Sequence, residues 1–154
     1  MINKPGKNDA DGIEVPDIRH LTLLYTNDIK GNAEQMAYLA TIVKKIRQAE
    51  PLTLLVDSGN WAKGTTLSDS FKGLPIAEIF SAMKYEAVGI GQGEVEFGAK
   101  NLYSLEDKAD FPLVCCNLLE EGTGIPPFFL HDYIIINKGL FRIGITLSLI
   151  HISE

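Results

Sequence analysis

Residues 52–60 read LTLLVDSGN, an apolar run that ends in aspartate, serine, glycine and asparagine. Such a run predicts a buried β-strand that leads into a polar loop. Residues 20–28, HLTLLYTND, follow the same plan. Between the two runs, residues 34–49 place apolar side chains at helical spacing, and Pro51 ends the predicted helix. A strand, a helix and a second strand in this order indicate a parallel pair in an α/β sheet.

The same alternation continues along the chain. Residues 75–85, PIAEIFSAMKY, predict a helix that begins at a proline, and residues 86–91, EAVGIG, predict a third short strand. Residues 99–109 predict a short helix, and residues 111–118, FPLVCCNL, a fourth strand. Residues 132–147 predict a hairpin around the turn NKG. We therefore predict an α/β fold with a mixed, mostly parallel sheet, to which the hairpin adds an antiparallel edge.

The composition is that of one ordinary globular domain. The chain has 154 residues, of which 45% are apolar, and a formal net charge of −6. An acidic chain gives no electrostatic reason to expect a nucleic acid or an anionic membrane as partner. No apolar run reaches the ~18 residues that a spanning helix needs. Residues 1–19 are polar and lack the apolar core of a secretion signal, so we interpret them as a flexible tail.

The two cysteines, Cys115 and Cys116, are adjacent within the predicted fourth strand. Neighbouring strand residues point to opposite faces of a sheet, so these thiols are poorly placed to form a disulfide with each other. We interpret both as buried structural thiols rather than as redox or metal-binding groups.

Three loops follow predicted strands and should meet at one edge of the sheet: TNDIKGN (26–32), DSGNWAKGTT (57–66) and GIGQGEVEFG (89–98). In parallel α/β sheets, ligand sites lie at the carboxyl ends of the strands. Asp28 and Asp57 stand at two of these ends. Their oxygens suit hard metal cations. Without a metal, such acids are hydrogen-bonded to loop amides or lysines, and these residues alone leave both interpretations open.

Four blocks in this order resemble the 5′-nucleotidase branch of the calcineurin-like metallophosphoesterases: LTLLYTNDIKGN, LLVDSGNWAKGTTLSD, KGLPIAEIFSAMKYEAVGIGQGEVEFG and FPLVCCNL. The resemblance covers residues 21–146. It implies a four-layer α/β/β/α sandwich, of which this chain forms the first half. Members of the family hydrolyse nucleotide phosphomonoesters or related phosphoesters with two metal ions bridged by an aspartate. They are often exported, but the chain itself gives no basis for assigning a location.

The family motifs NDxHG, GDxxxG and GNHEF are altered at most metal-binding positions. Lys30 replaces the first-loop histidine, Asn60 replaces the bridging aspartate, and Gly93 replaces the catalytic histidine. A neutral amide cannot bridge two dications, a lysine ammonium does not ligate, and glycine cannot protonate a leaving group. The vestigial metal-site positions are Asp28, Lys30, Asn60, Gln92, Gly93 and Glu94.

These replacements predict a degenerate domain without two-metal phosphoester hydrolysis, and therefore no catalytic residue, no metal ligand and no cofactor. Lys30 lies two residues from Asp28 and has two alternative interpretations. It pairs with Asp28 and occupies the space of the lost cation, or it extends into solvent. A lone tryptophan in the second loop, Trp61, stacks on a base or, more commonly, packs in the core.

A binding module is the alternative to a degenerate enzyme. In this interpretation backbone amides of the glycine loops, with nearby lysines, hold a phosphate or a nucleotide. The phosphate-binding candidates are Gly59, Lys63, Gly64 and Gly91. A further alternative is residual metal-dependent phosphomonoester hydrolysis in the full-length protein, with one metal ion on Asp28, Asp57 and Glu94.

The chain is divided into a tail (1–19), a partial metallophosphoesterase-like domain (20–146) and an atypical end (147–154). The final octapeptide, LSLIHISE, resembles the translation of a sequencing adapter, so we interpret it as not native. A half domain leaves part of its sheet uncovered, and we therefore expect this fragment to self-associate. The hairpin is the expected source, because Ile134, Ile135 and Ile136 give it apolar side chains on both faces.

Overall fold

The computed structural model describes residues 20–149. Four parallel strands form one sheet in the order β1-β2-β3-β4. A second, two-stranded sheet contains β5 and β6. The strands are β1 (Thr22–Thr26), β2 (Thr53–Asp57), β3 (Ala87–Gly89), β4 (Leu113–Val114), β5 (Ile134–Lys138) and β6 (Phe141–Ile145). The helices are α1 (Ala33–Ala49), α2 (Thr66–Ser70), α3 (Leu74–Ala82), α4 (Gln92–Glu96) and α5 (Ala99–Lys108).

The α/β fold class and the parallel sheet are confirmed. The first predicted helix matches α1, which begins after Asn32, whose side chain accepts a hydrogen bond from the Gln35 N–H at 3.1 Å. The predicted helix over residues 75–85 ends earlier, at Ala82. Lys84 has a φ of 59°, outside the helical region.

Two short helices were not predicted from the sequence. α2 begins at Thr66, where the second loop ends. α4 lies within the third loop, for which the glycines had suggested an irregular backbone. Glycine disfavours helix interiors, so a pattern of four glycines gives no helical signal even where the backbone completes one turn.

The hairpin does not extend the parallel sheet, and that prediction was wrong. The outer edge of β4 is already occupied, because Cys115 N–H donates to His131 O and His131 N–H donates to Leu113 O, both at 3.0 Å. β5 and β6 therefore pair only with each other among residues 20–149. A half-buried ion pair between Lys138 and Glu86, which precedes β3, ties the hairpin to the main sheet.

The core lies between the parallel sheet and the helices. Trp61 is fully buried, its indole N–H donates to Gly89 O at 3.1 Å, and its ring lies 5.4 Å from that of Phe80. Trp61 is thus a core residue, as its commoner interpretation predicted. The prediction of two buried thiols was wrong for one of them. Cys115 is buried but Cys116 is exposed, because β4 ends at Val114 and Cys116 lies in the bend that follows it.

The predicted tail, residues 1–19, lies outside the described residues, as do residues 150–154 of the predicted atypical end. Of the remaining end residues, Leu147 and Leu149 pack against the core. No helix among the residues described has the length and apolar content required to cross a bilayer.

Candidate functional site

A polar cleft lies at the carboxyl edge of the sheet, where the three loops meet as predicted. Its volume is about 350 Å³. The cleft is lined by Asp28, Lys30, Asn60, Lys63, Gln92, Gly93 and Glu96. Five of the six vestigial positions therefore lie together, and Glu94 is the one that does not line the cleft.

The first and second loops are joined through their backbones. Asp28 N–H donates to Gly59 O at 3.1 Å, and Lys30 N–H donates to Asn60 O at 3.0 Å. Asp28 and Lys30 both have positive φ values, 55° and 51°, and both side chains are exposed. No ion pair joins Asp28 to Lys30 within the described part of the chain. The hypothesis that Lys30 pairs with this acid is wrong, and Lys30 instead faces solvent from the cleft.

Glu94 is fully buried beneath the cleft and holds the second loop to the third. Its carboxylate accepts hydrogen bonds from the backbone N–H groups of Asn60 (2.9 Å), Ala62 (2.7 Å) and Gly91 (2.8 Å). Burial raises the pKa of Glu94, and the backbone N–H donors oppose that rise. Its oxygens are engaged by the protein itself and do not face the cleft.

Asp57 is also directed inward. Its carboxylate accepts from Thr26 Oγ1 at 2.6 Å and from the Gly59 N–H at 2.7 Å. Tyr85 Oη lies 2.9 Å from Thr26 Oγ1, so a buried polar chain connects β1, β2 and the segment before β3. Burial raises the pKa of Asp57 to about 7 and that of Tyr85 to about 12.

The glycines allow the loops to approach one another. A Cβ on Gly59 would lie 2.8 Å from Gly91 N, and a Cβ on Gly91 would lie 2.5 Å from Asn60 N. A Cβ on Gly64 would lie 2.7 Å from Lys30 O. The N–H groups of all three glycines donate to carboxylates: Gly59 to Asp57, Gly64 to Asp69 and Gly91 to Glu94. Close packing between loops thus accounts for these glycines without a ligand.

Lys63 and Glu96 form an ion pair across the cleft, between the second loop and α4. The pair raises the pKa of Lys63 and lowers that of Glu96. Gln92 Nε2 also donates to Glu96 Oε1 at 3.1 Å. Glu96 was missed from the sequence, because only a helix places residues 92 and 96 on one face. Recognition of α4 would have identified this contact.

Comparison with known proteins agrees with this geometry. No protein-family model matches the sequence. The chain is 32% identical to human 5′-nucleotidase over 120 residues, which cover 66% of this chain and 21% of the relative. It is 29% identical to the snake venom 5′-nucleotidase of Crotalus adamanteus over 145 residues, 81% of this chain and 24% of the relative. The solved structure of Haemophilus influenzae NAD nucleotidase superposes with a TM-score of 0.72 at 20% identity, covering 83% of this chain and 26% of that chain.

The chain belongs to the 5′-nucleotidase-like branch of the calcineurin-like phosphoesterases. It spans only about a fifth to a quarter of the length of these relatives. The resemblance inferred from the sequence motifs is confirmed over that part, and the metallophosphoesterase fold with it.

The residues of this calcineurin-like domain do not fit a pair of metal ions. The part of the chain described by the structure contains no group of three or more His, Cys, Asp or Glu side chains placed to hold a metal. Asn60 stands at the bridging position, and its Oδ1 accepts the Gly93 N–H at 3.1 Å. Asp28, Asp57 and Glu94 likewise do not form a site for a single ion. The carboxylates of Asp57 and Glu94 accept hydrogen bonds from a threonine hydroxyl and from buried backbone N–H groups.

Proposed function

We propose that this chain is a degenerate 5′-nucleotidase-like metallophosphoesterase domain that lacks two-metal phosphoester hydrolysis. The supporting observation is that the carboxylates of Asp57, Glu94 and Glu96 are all hydrogen-bonded or ion-paired to other groups of the protein. Among the carboxylates lining the cleft, Asp28 is the one without an ion-pair partner in the described residues. One carboxylate and two amides do not supply the negative charge that two dications require.

The electrostatics of the cleft support the same proposal. Lys30 and Lys63 place two ammonium groups where relatives with intact motifs would bind cations. The positive charges of these lysines repel a metal cation, so the cleft disfavours a divalent ion. Gly93 provides no group to donate a proton to a leaving oxygen. The cleft therefore lacks both the metal ligands and the general acid of the reaction.

The first prediction is that the purified 154-residue chain does not hydrolyse AMP or p-nitrophenyl phosphate with Mg²⁺, Mn²⁺, Zn²⁺ or Co²⁺. Elemental analysis should find less than stoichiometric metal. Restoring the motifs with Lys30→His, Asn60→Asp, Gln92→Asn and Gly93→His should increase metal binding only in part. A Cβ at position 93 would lie 3.3 Å from Lys63 Cβ, so Gly93→His requires a small shift of Lys63.

Metal-dependent turnover by the unmodified chain, abolished by Asp28→Ala, would overturn the proposal. Asp110→Ala is the matched control, since Asp110 is exposed and lies outside the cleft. Turnover that persists in the Asp28→Ala variant indicates a contaminating phosphatase and does not contradict the proposal. The same assay on a longer protein that contains this domain would test the alternative function, residual metal-dependent hydrolysis.

Anion binding is the second candidate function, supported by the two lysines in a polar cleft. The glycine N–H groups proposed from the sequence are engaged, so side chains would have to supply the contacts. Lys63 would have to exchange Glu96 for the ligand, whereas Lys30 lines the cleft and is exposed to solvent. A phosphate or the phosphate of a nucleotide is the ligand class that fits.

The second prediction concerns this binding alternative. Titration of the metal-free chain with AMP or inorganic phosphate, followed by calorimetry or amide chemical shifts, should show binding that Lys30→Ala weakens about tenfold, the effect of one charged hydrogen bond. Lys45→Ala is the control, because Lys45 is exposed on α1 and away from the cleft. Absence of binding, or equal loss in both variants, would rule out the cleft as an anion site.

A further inference from the structure

The outer edge of β1 has backbone groups with no partner among residues 20–149, where β1 pairs only with β2. Thr22 N–H donates to Leu52 O at 2.9 Å, and Thr26 O accepts from the Ser58 N–H at 3.0 Å. In a parallel ladder, alternate residues direct both backbone groups to the same side. Thr22, Leu24 and Thr26 therefore bond towards β2. The N–H and C=O groups of Leu23 and Tyr25 point away from the sheet.

This edge lacks the features that normally prevent edge-to-edge pairing. Residues 21–27, LTLLYTN, contain no charged residue and no proline. The side chains of Leu23 and Tyr25 are 56% and 73% exposed. The hairpin is better protected, because Lys138 and Arg142 lie on its two strands. The edge of β1, unpartnered within the described part of the chain, is thus the more favourable site for adding another strand.

We infer that two copies of this chain associate by antiparallel pairing of their β1 strands about a two-fold axis at Leu24. In that register Leu23 of each copy lies opposite Tyr25 of the other, and both use the backbone groups that point away from β2. The pairing makes one continuous sheet from the sheets of the two copies.

A second copy fits this edge because the strand is complementary to itself. The two-fold register places Thr22 opposite Thr26 and an aliphatic side chain opposite an aromatic one, a favourable cross-strand pair. An isologous pair of this kind closes on itself and forms a dimer rather than an open filament.

The experiment is size-exclusion chromatography with light scattering on the 154-residue chain over a wide range of protein concentration. The unmodified chain should form a dimer. Tyr25→Lys should weaken dimerisation about tenfold or more, which corresponds to ~1.4 kcal/mol. Tyr38→Lys is the matched control, since Tyr38 is 76% exposed on α1 and should have no effect.

A second variant tests the backbone directly. Leu23→Pro removes an N–H that the ladder within the chain does not use, and edge strands accept proline at such positions. It should give a folded monomer by circular dichroism. In the unmodified chain, the amides of Leu23 and Tyr25 should gain protection from hydrogen exchange as the protein concentration rises.

Three results would overturn the inference. The first is a monomer at every concentration. The second is an equal effect of Tyr25→Lys and Tyr38→Lys. The third is loss of the dimer in Ile135→Lys while Tyr25→Lys retains it, which would place the contact on the hairpin, where Ile135 is 46% exposed. None of these results depends on whether the cleft binds a metal or an anion.

Discussion

At the scale of single residues, the buried acids define this protein. Asp57 lies at the end of β2 and is hydrogen-bonded to Thr26 Oγ1 and to the Gly59 N–H. Burial disfavours its charged form and raises its pKa from 3.8 to about 7. The acid is therefore a structural link between the first two strands, and its ionisation has an energetic cost near neutral pH.

The fourth prediction follows from that shift. Between about pH 4 and pH 7 the folded protein retains on Asp57 a proton that the unfolded chain releases. The free energy of unfolding should therefore fall as pH rises through this window, by at most about 1.4 kcal/mol per pH unit. Asp57→Asn keeps an oxygen for the Gly59 N–H and an N–H for Thr26, so it should reduce this slope.

Urea denaturation at several pH values measures the slope. Glu94, whose pKa burial also raises, contributes in the same direction and remains in the variant, so the slope should decrease but not vanish. Asp110→Asn, at an exposed position, is the control and should leave the slope unchanged. An unchanged slope in Asp57→Asn would show that this carboxyl does not titrate in the window.

At the scale of elements, the loops after β1, β2 and β3 pack on one another closely enough to require glycine. The second and third loops meet at Gly59 and Gly91, and Glu94 of α4 joins them through backbone N–H groups. The Gly93 N–H bond to Asn60 Oδ1 and the Lys63–Glu96 ion pair also hold α4 in position. The cleft above it is bounded by loops that pack directly on one another.

The fifth prediction is that Gly91→Ala lowers the free energy of unfolding by about 1–3 kcal/mol, as overpacking does. Its Cβ would lie 2.5 Å from Asn60 N, a backbone atom that cannot rotate away. Gly144→Ala is the control, because a Cβ on Gly144 meets no atom within 4 Å. Gly144→Ala should change stability by about 0.5 kcal/mol or less. Equal urea midpoints for the two variants would contradict the close approach.

At the scale of the whole molecule, the two faces of the parallel sheet are packed by different elements. The core lies on the helical side of the parallel sheet, around Trp61 and Phe80. The hairpin packs on the main sheet less closely, and its apolar side chains remain half-buried or exposed. The edge of β1, which has no partner strand among residues 20–149, favours association, and the third prediction assigns that association to this edge.

The sequence by itself determined the parallel α/β order, the helix after β1 and the meeting of three loops at one edge of the sheet. Apolar runs that end in polar loops and apolar residues at helical spacing are local signals, and chain order then limits the topology. The family resemblance also rested on local motifs, and the comparisons confirm it.

Tertiary structure alone decided which polar groups face the cleft. Glu94 lies only two residues from Glu96, yet Glu94 is buried on backbone amides while Glu96 pairs with Lys63. That difference depends on one turn of helix that glycines conceal in the sequence. The separate sheet of the hairpin also depends on a long-range contact. His131 pairs with Val114 at the edge of β4, and no local sequence pattern predicts a contact between residues so far apart in the chain.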